Sequence, residues 1–118
     1  MNKRAPVTLQ DLSRLFSACA DPTRLRILNL LRQDELCVCH LIDVLGLPQS
    51  TVSRHLAYLK RVGLVDTWEE GTWNHYRIAT PAGKLHGALL GCLEQCFRDI
   101  SPLKQDKRRW SSCRRRSP

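Results

Sequence analysis

A chain of 118 residues, 42% hydrophobic, with six cysteines and a formal net charge of +8, has the length of one domain with a modest core, the kind that often gains from dimerisation. No apolar run approaches the ~20 residues of a membrane-spanning helix. Met1 to Pro6 has no apolar stretch behind it, so no secretory leader is expected and the expected compartment is the cytoplasm, where the cysteines read as ligands, redox groups or small core residues and not as a disulfide framework.

Leu9, Leu12, Leu15, Phe16 and Cys19 recur at helical spacing and predict a helix over 8–19. Asp21 is a suitable N-cap and Pro22 a suitable first residue for a second helix that runs to about Arg32 and buries Leu25, Ile27, Leu28 and Leu31. A short third helix is expected over 36–46, stopped by Gly46. In a fourth, over 49–62, Val52, Leu56, Leu59 and Gly63 share one stripe, while Ser50, Arg54, Ala57, Tyr58 and Arg61 lie opposite. Leu64 to Trp68 and Trp73 to Ile78 flank Glu69-Glu70-Gly71-Thr72 and predict a hairpin. Thr80-Pro81 opens a last helix to about Ile100, with a stripe of Leu85, Leu89, Cys92, Leu93, Cys96 and Ile100.

Charge separates the remainder. Residues 1–100 hold 12 basic and 10 acidic side chains, a balance of +2; residues 101–118 hold 7 and 1, a balance of +6. The expected organisation is one domain over 1–100 and a flexible basic tail over 101–118, solvated and adding at most nonspecific phosphate affinity. The order of elements, mainly helical with a β-hairpin before the last helix, is that of a winged helix-turn-helix. Its two-helix unit is 36–46 and 49–62, and the second helix is expected in the major groove of DNA.

Several segments carry a family resemblance. Asp21-Pro22-Thr23-Arg24-Leu25-Arg26-Ile27-Leu28, Glu35-Leu36-Cys37-Val38-Cys39, Ser53-Arg54-His55-Leu56 and His75-Tyr76-Arg77, in this order, resemble the ArsR/SmtB metalloregulators over roughly residues 8–98. The Glu-Leu-Cys-Val-Cys form is similar to the arsenic-responsive branch. The resemblance implies a homodimeric repressor that leaves its operator when a thiophilic ion binds. Many arsenic sensors continue Cys-Val-Cys-Asp-Leu-Cys; here His40 and Ile42 stand at the Asp and third Cys positions. The wing tip is acidic at Glu69 and Glu70, where relatives often carry Arg or Lys. The zinc site that some relatives place on the last helix is not expected, because Lys84-Leu85-His86 lacks the leading Asp and no later His follows.

Two thiolates without an Asp/Glu cluster suit a soft ion better than magnesium, calcium or manganese. As(III) or Sb(III) as inducer wants three sulfurs; Cys37 and Cys39 are the expected pair, and Cys19, Cys92, Cys96, Cys113 or an external thiol are open candidates for the third. On a regular helix residues two apart point about 200° apart, whereas sulfurs on one ion, with bonds of ~2.3 Å, sit roughly 3.8 Å apart. Chelation is therefore expected to distort the start of the third helix and so displace the fourth. Cys92 and Cys96, one turn apart, read first as dimer packing and second as another thiol site. Cys19 reads as core, and Cys113 as a thiol made reactive by its arginine neighbours.

Gln49, Ser50, Thr51, Arg54 and Tyr58 are the expected groups for an operator, since Gln pairs bidentately with adenine and Arg with guanine. Ser53, His55 and Arg77 join them through the resemblance, with Ser53 and His55 on the helix flanks and able to bond within the protein. A dimer calls for palindromic double-stranded DNA with half-sites about one helical turn apart. Cys92-x5-Arg98 matches the phosphatase and arsenate-reductase spacing, but it lacks glycine and has helical spacing, so no enzyme is expected. The alternatives within the same fold are a thiol redox or persulfide sensor and a Cd(II) or Pb(II) sensor.

Overall fold

Thr8 opens the first helix through a reciprocal cap: its hydroxyl accepts from the Asp11 amide and the Asp11 carboxylate accepts from the Thr8 amide, each at 3.0 Å. The computed structural model describes residues 8–80 and 84–116, so Pro81, placed at the start of the last helix above, lies outside the described residues. Helix α1 spans Leu9–Ala18. Asp21 caps α2, Pro22–Leu31, by accepting from the Arg24 amide at 3.0 Å. α2 buries Ile27, Leu28, Leu30 and Leu31 and also Asn29, whose side-chain amide donates to the Leu103 carbonyl at 3.2 Å. A helix buried on nearly all sides is the centre of the domain.

Strand β1 is only Leu36–Cys37, followed directly by α3, Val38–Leu45. Gly46, at φ 68°, ends α3 in the left-handed region that glycine adopts without a Cβ clash. Helix α4 is Gln49–Arg61; its Val52, Leu56 and Leu59 are fully buried, as the stripe predicts, each worth roughly 1.5–3 kcal/mol of transfer free energy. Strands β2, Val65–Glu70, and β3, Trp73–Ile78, form the wing, tighter than the four-residue turn predicted, with Gly71 at φ 65°. The sheet order is β1-β3-β2, all antiparallel. Helices α5, Lys84–Phe97, and α6, Ser101–Arg116, complete the chain.

Two expectations are corrected. The third helix does not begin at 36: Leu36 and Cys37 are extended and pair with Tyr76 and His75 of β3, which satisfies their backbone groups in a sheet. The segment after residue 100 is not a tail in its described part. Leu103, Asp106 and Trp110, at i, i+3 and i+7 of α6, are buried against α2 and α3. Arg26 Nε and Nη2 donate to the two Asp106 oxygens at 2.8 and 2.9 Å, and Trp110 Nε1 donates to Asp34 at 2.8 Å.

The α5 stripe is also redrawn. Leu85, Leu89 and Leu93 are half-buried and Phe97 is buried, but Cys92 and Cys96 are exposed. α1 leaves Leu9 and Phe16 exposed, at 81% and 55%. Among the described residues no helix is long and apolar enough to cross a membrane.

Candidate thiol site and nucleic-acid interface

Cys37 is both the last residue of β1 and the N-cap of α3, with φ −68° and ψ 150°. That extended backbone, not a helical one, turns its side chain back over the first turn of α3. Its sulfur accepts from the Cys39 amide at 3.4 Å and from the Cys39 thiol at 2.8 Å. The expectation that the two sulfurs point apart is thus overturned: it assumed Cys37 to be helical. Cys37 is buried and Cys39 half-buried. Burial, then the hydrogen bond and charge of Cys37, push the Cys39 thiol up to about 11. Cys39 therefore keeps its proton near neutral pH until something displaces it.

The other four cysteines are not gathered here. Cys19 caps the C-terminus of α1, and burial pushes its thiol up despite Arg24. Cys92 and Cys96 stand on the open face of α5, where the Cys92 thiol beside Cys96 raises the latter. Cys113 reaches α3 from α6 and donates to Asp43 Oδ2 at 3.4 Å. Among the described residues no three Cys, His, Asp or Glu side chains are assembled as a metal site. His86 is bound to the Val62 carbonyl at 3.2 Å.

α4 exposes Gln49, Ser50 and Arg54 to solvent and leaves Thr51 and Ser53 half-buried. Its N-cap is Pro48, which supplies no side-chain acceptor; the Thr51 and Val52 amides donate to the Pro48 carbonyl, each at 3.1 Å, which leaves the Gln49 and Ser50 amides to face an anion such as a DNA phosphate. Two predicted contact residues are engaged inside the protein. Arg24 Nη1 donates to His55 Nδ1 at 3.2 Å, and the Arg24 guanidinium covers the Tyr58 ring at 4.1 Å while Arg61 lies 5.4 Å from it. Arg24 also donates to the carbonyls of Ala18 and Ser17 at 2.8 and 3.0 Å. It is thus a strut from the α1–α2 corner to the recognition helix, a role its place in Asp21-Pro22-Thr23-Arg24 does not reveal by spacing.

In the wing, Arg77 is exposed, lies 3.8 Å from Glu35 and sits over the Trp68 ring at 5.0 Å. His75, directly opposite Cys37, stacks on Trp68 and contacts Glu70 at 3.2 Å. Sequence reading named His75 only within a motif and missed its place opposite Cys37, because a two-residue strand has no periodicity to detect.

A family profile described as "Bacterial regulatory protein, arsR family" matches residues 21–67, from the α2 cap through α4 into β2. An uncharacterized HTH-type transcriptional regulator of Methanocaldococcus jannaschii is 51% identical over 70 residues, 58% of this chain and 79% of that protein. The arsenical resistance operon repressor of Escherichia coli K12 is 46% identical over 67 residues; the match covers 56% of this chain and 57% of the repressor, little more than half its length. The homodimeric winged helix-turn-helix DNA-binding domain of Mb0332 from Mycobacterium bovis, described as a possible ArsR-family regulator, superposes with a TM-score of 0.64 at 35% identity, covering 75% of this chain and 79% of that one.

Proposed function

Since the chain belongs to the ArsR/SmtB family of winged helix-turn-helix transcriptional repressors, we propose that it binds operator DNA as a homodimer and is released when As(III) or Sb(III) is captured by Cys37 and Cys39. The observation that carries this reading is the sulfur pair itself, 2.8 Å apart at the joint between the wing sheet and the first helix of the DNA-binding unit. Two free thiols so placed need no unfolding to share a soft ion. They need only spread to the roughly 3.8 Å of sulfurs on one such centre. Cys37 is held to β3 by the sheet and Cys39 belongs to α3, so spreading the sulfurs pushes α3 away from the wing and tilts α4 in its groove.

On the DNA side, Gln49, Ser50, Thr51 and Arg54 meet base edges and phosphates, with Ser53 on the flank and Arg77 reaching the backbone from the wing. His55 and Tyr58 set the position of α4 through Arg24. The acidic wing tip, with Glu70 held by His75, adds no phosphate contact. A second copy covers the apolar residues left open on α1 and α5, among them Leu9, Phe16, Leu89 and Leu93. A palindromic operator follows from that symmetry.

Operator affinity measured by fluorescence anisotropy, with and without arsenite, tests the reading on wild type, Cys37→Ser and Cys39→Ser. Release lost in both variants, with unliganded affinity kept, is the expected result; release retained in both would overturn it. The same short sulfur separation supports one other reading, a dithiol–disulfide switch. Release by peroxide or polysulfide and none by arsenite, antimonite, cadmium or lead would select it.

A further inference from the structure

Position 42 is isoleucine, so the joint of β1 and α3 supplies two sulfurs, Cys37 and Cys39, and no third. Asp43 follows Cys39 by four residues and therefore lies one turn along the same face of α3, with β-carbons about 5–6 Å apart. That carboxylate is where the Cys113 thiol rests, at 3.4 Å. Trp110, one turn before Cys113 on α6, packs on the His40 ring with centroids 4.9 Å apart. His40 is the residue after Cys39. α6 thus delivers a half-buried thiol to the side of α3 that carries Cys39, while Cys19 lies at the α1 terminus and Cys92 and Cys96 on the open face of α5.

We infer that Cys113 is the third protein ligand for trivalent arsenic, closing a three-thiolate site with Cys37 and Cys39 between the first helix of the DNA-binding unit and the C-terminal helix. The inference rests on the arsenic reading above. The three sulfurs are not gathered as they stand, so the Cys113 side chain must leave Asp43 and the end of α6 must shift toward the start of α3. Asp43 is exposed and keeps its hydration when the thiol departs. The chemistry is ligand exchange on arsenous acid. Each As–O bond breaks as an As–S bond forms, each thiol proton leaves with a hydroxide as water, and three waters balance three thiolates. Arsenic stays trivalent, and no oxidant or reductant is required. Three sulfurs satisfy the pyramidal centre without an external thiol.

The test is arsenic K-edge absorption on the full-length protein loaded with arsenite in buffer free of small thiols, together with arsenite affinity. Wild type should show three sulfur neighbours. Cys113→Ser should show two sulfurs and one oxygen. Its arsenite affinity should fall by at least the roughly 10- to 100-fold that outer-shell substitutions cost at metal sites. Cys92→Ser and Cys96→Ser should match wild type. Two sulfurs in wild type, or three in Cys113→Ser, would overturn the inference and leave the arsenic reading standing. No arsenic bound by wild type would overturn both. Should Cys113→Ser not fold, alkylation of wild type decides: arsenite should protect Cys113 from iodoacetamide, and equal labelling with and without arsenite would overturn the inference.

Discussion

Replacing Asp106 by alanine should show that α6 is part of the folded domain. Asp106 is 1% exposed, and its two oxygens take Arg26 Nε and Nη2 at 2.8 and 2.9 Å. The charge–charge hydrogen bond to Asp106 raises Arg26, against the lowering effect of its burial. Charge-assisted hydrogen bonds of this kind contribute about 1.5–3 kcal/mol each. Arg26 keeps a third contact, Nη2 donating to the Leu45 carbonyl at 3.2 Å, and its side chain is 24% exposed, so part of the lost interaction returns as hydration. The expected loss is about 3 kcal/mol, at the low end of the cost of orphaning one partner of a buried pair. Thermal melts at fixed protomer concentration should fall by roughly 10 °C. The double variant Arg26→Met, Asp106→Leu should recover much of the loss, since two apolar groups leave no buried charge unpaired. A change below about 1 kcal/mol in Asp106→Ala would refute the reasoning, because it would mean that α6 leaves the core readily in solution.

Arg54→Ala should cost about 1–3 kcal/mol of operator affinity, read by anisotropy at fixed salt, and leave the melting temperature unchanged; no loss would remove Arg54 from the interface. Arg24→Ala should do the reverse in order of cause. Tyr58 and His55 lose their strut, so thermal stability should drop first, by about 1–3 kcal/mol, and DNA affinity with it. Gly46→Ala should destabilise by about 1–2 kcal/mol, although nothing lies within 4 Å of an added Cβ, because the cost is the left-handed backbone and not a clash. Acid should unfold the protein in a particular window. The Thr8 amide and hydroxyl hold Asp11 below its ordinary 3.8; burial raises Asp21, but the Arg24 amide and the His55 and Arg24 charges bring it below 3.8 as well. Depressed carboxylates contribute fully above the unfolded value and lose that contribution as pH falls through their folded values. Melting temperature should therefore be flat with respect to these two caps near neutrality and fall below about pH 4, less steeply in Asp21→Asn; equal slopes in both proteins would count against the cap.

Five helices, α1 to α5, and the hairpin were legible because each has a local signature. Asp21-Pro22 and Gly46 mark ends, Val52, Leu56 and Leu59 mark a face, and the β-prone runs about Gly71 mark the wing. The elements that were not legible depend on distant partners. β1 exists only because Tyr76 and His75 lie beside it, and two residues show no alternation. α6 carries a buried stripe of Leu103, Asp106 and Trp110, but seven basic residues dilute it, and the meaning of Asp106 resides in Arg26, 80 positions earlier. The candidate site was found by residue type and misjudged in geometry for the same reason. Because Cys37 is a strand residue, its side chain and that of Cys39 are not set apart by helical geometry. Val52, Leu56 and Leu59 were placed correctly on the buried face of α4 and Gln49, Ser50 and Arg54 on its open face, but Tyr58, expected in the open, is half-buried under Arg24; the tie from Arg24 to His55 and Tyr58 crosses more than thirty residues and had no local sign.

α3 is gripped at both extremities, and that has a mechanical consequence. At its far end the Arg26 and Arg109 guanidinium groups donate to the Leu45 and Val44 carbonyls, each at 3.2 Å. Eight residues make a rod of about 12 Å, and the thirteen of α4 extend about 20 Å. A push of about 1 Å at the cysteine end, with the arginine end as fulcrum, turns the rod by roughly 5°; if α4 turns with it, its tip swings by nearly 2 Å, beyond the tolerance of a 2.7–3.2 Å hydrogen bond. Leverage of this kind would let the spreading of two sulfurs undo contacts made at the tip of α4.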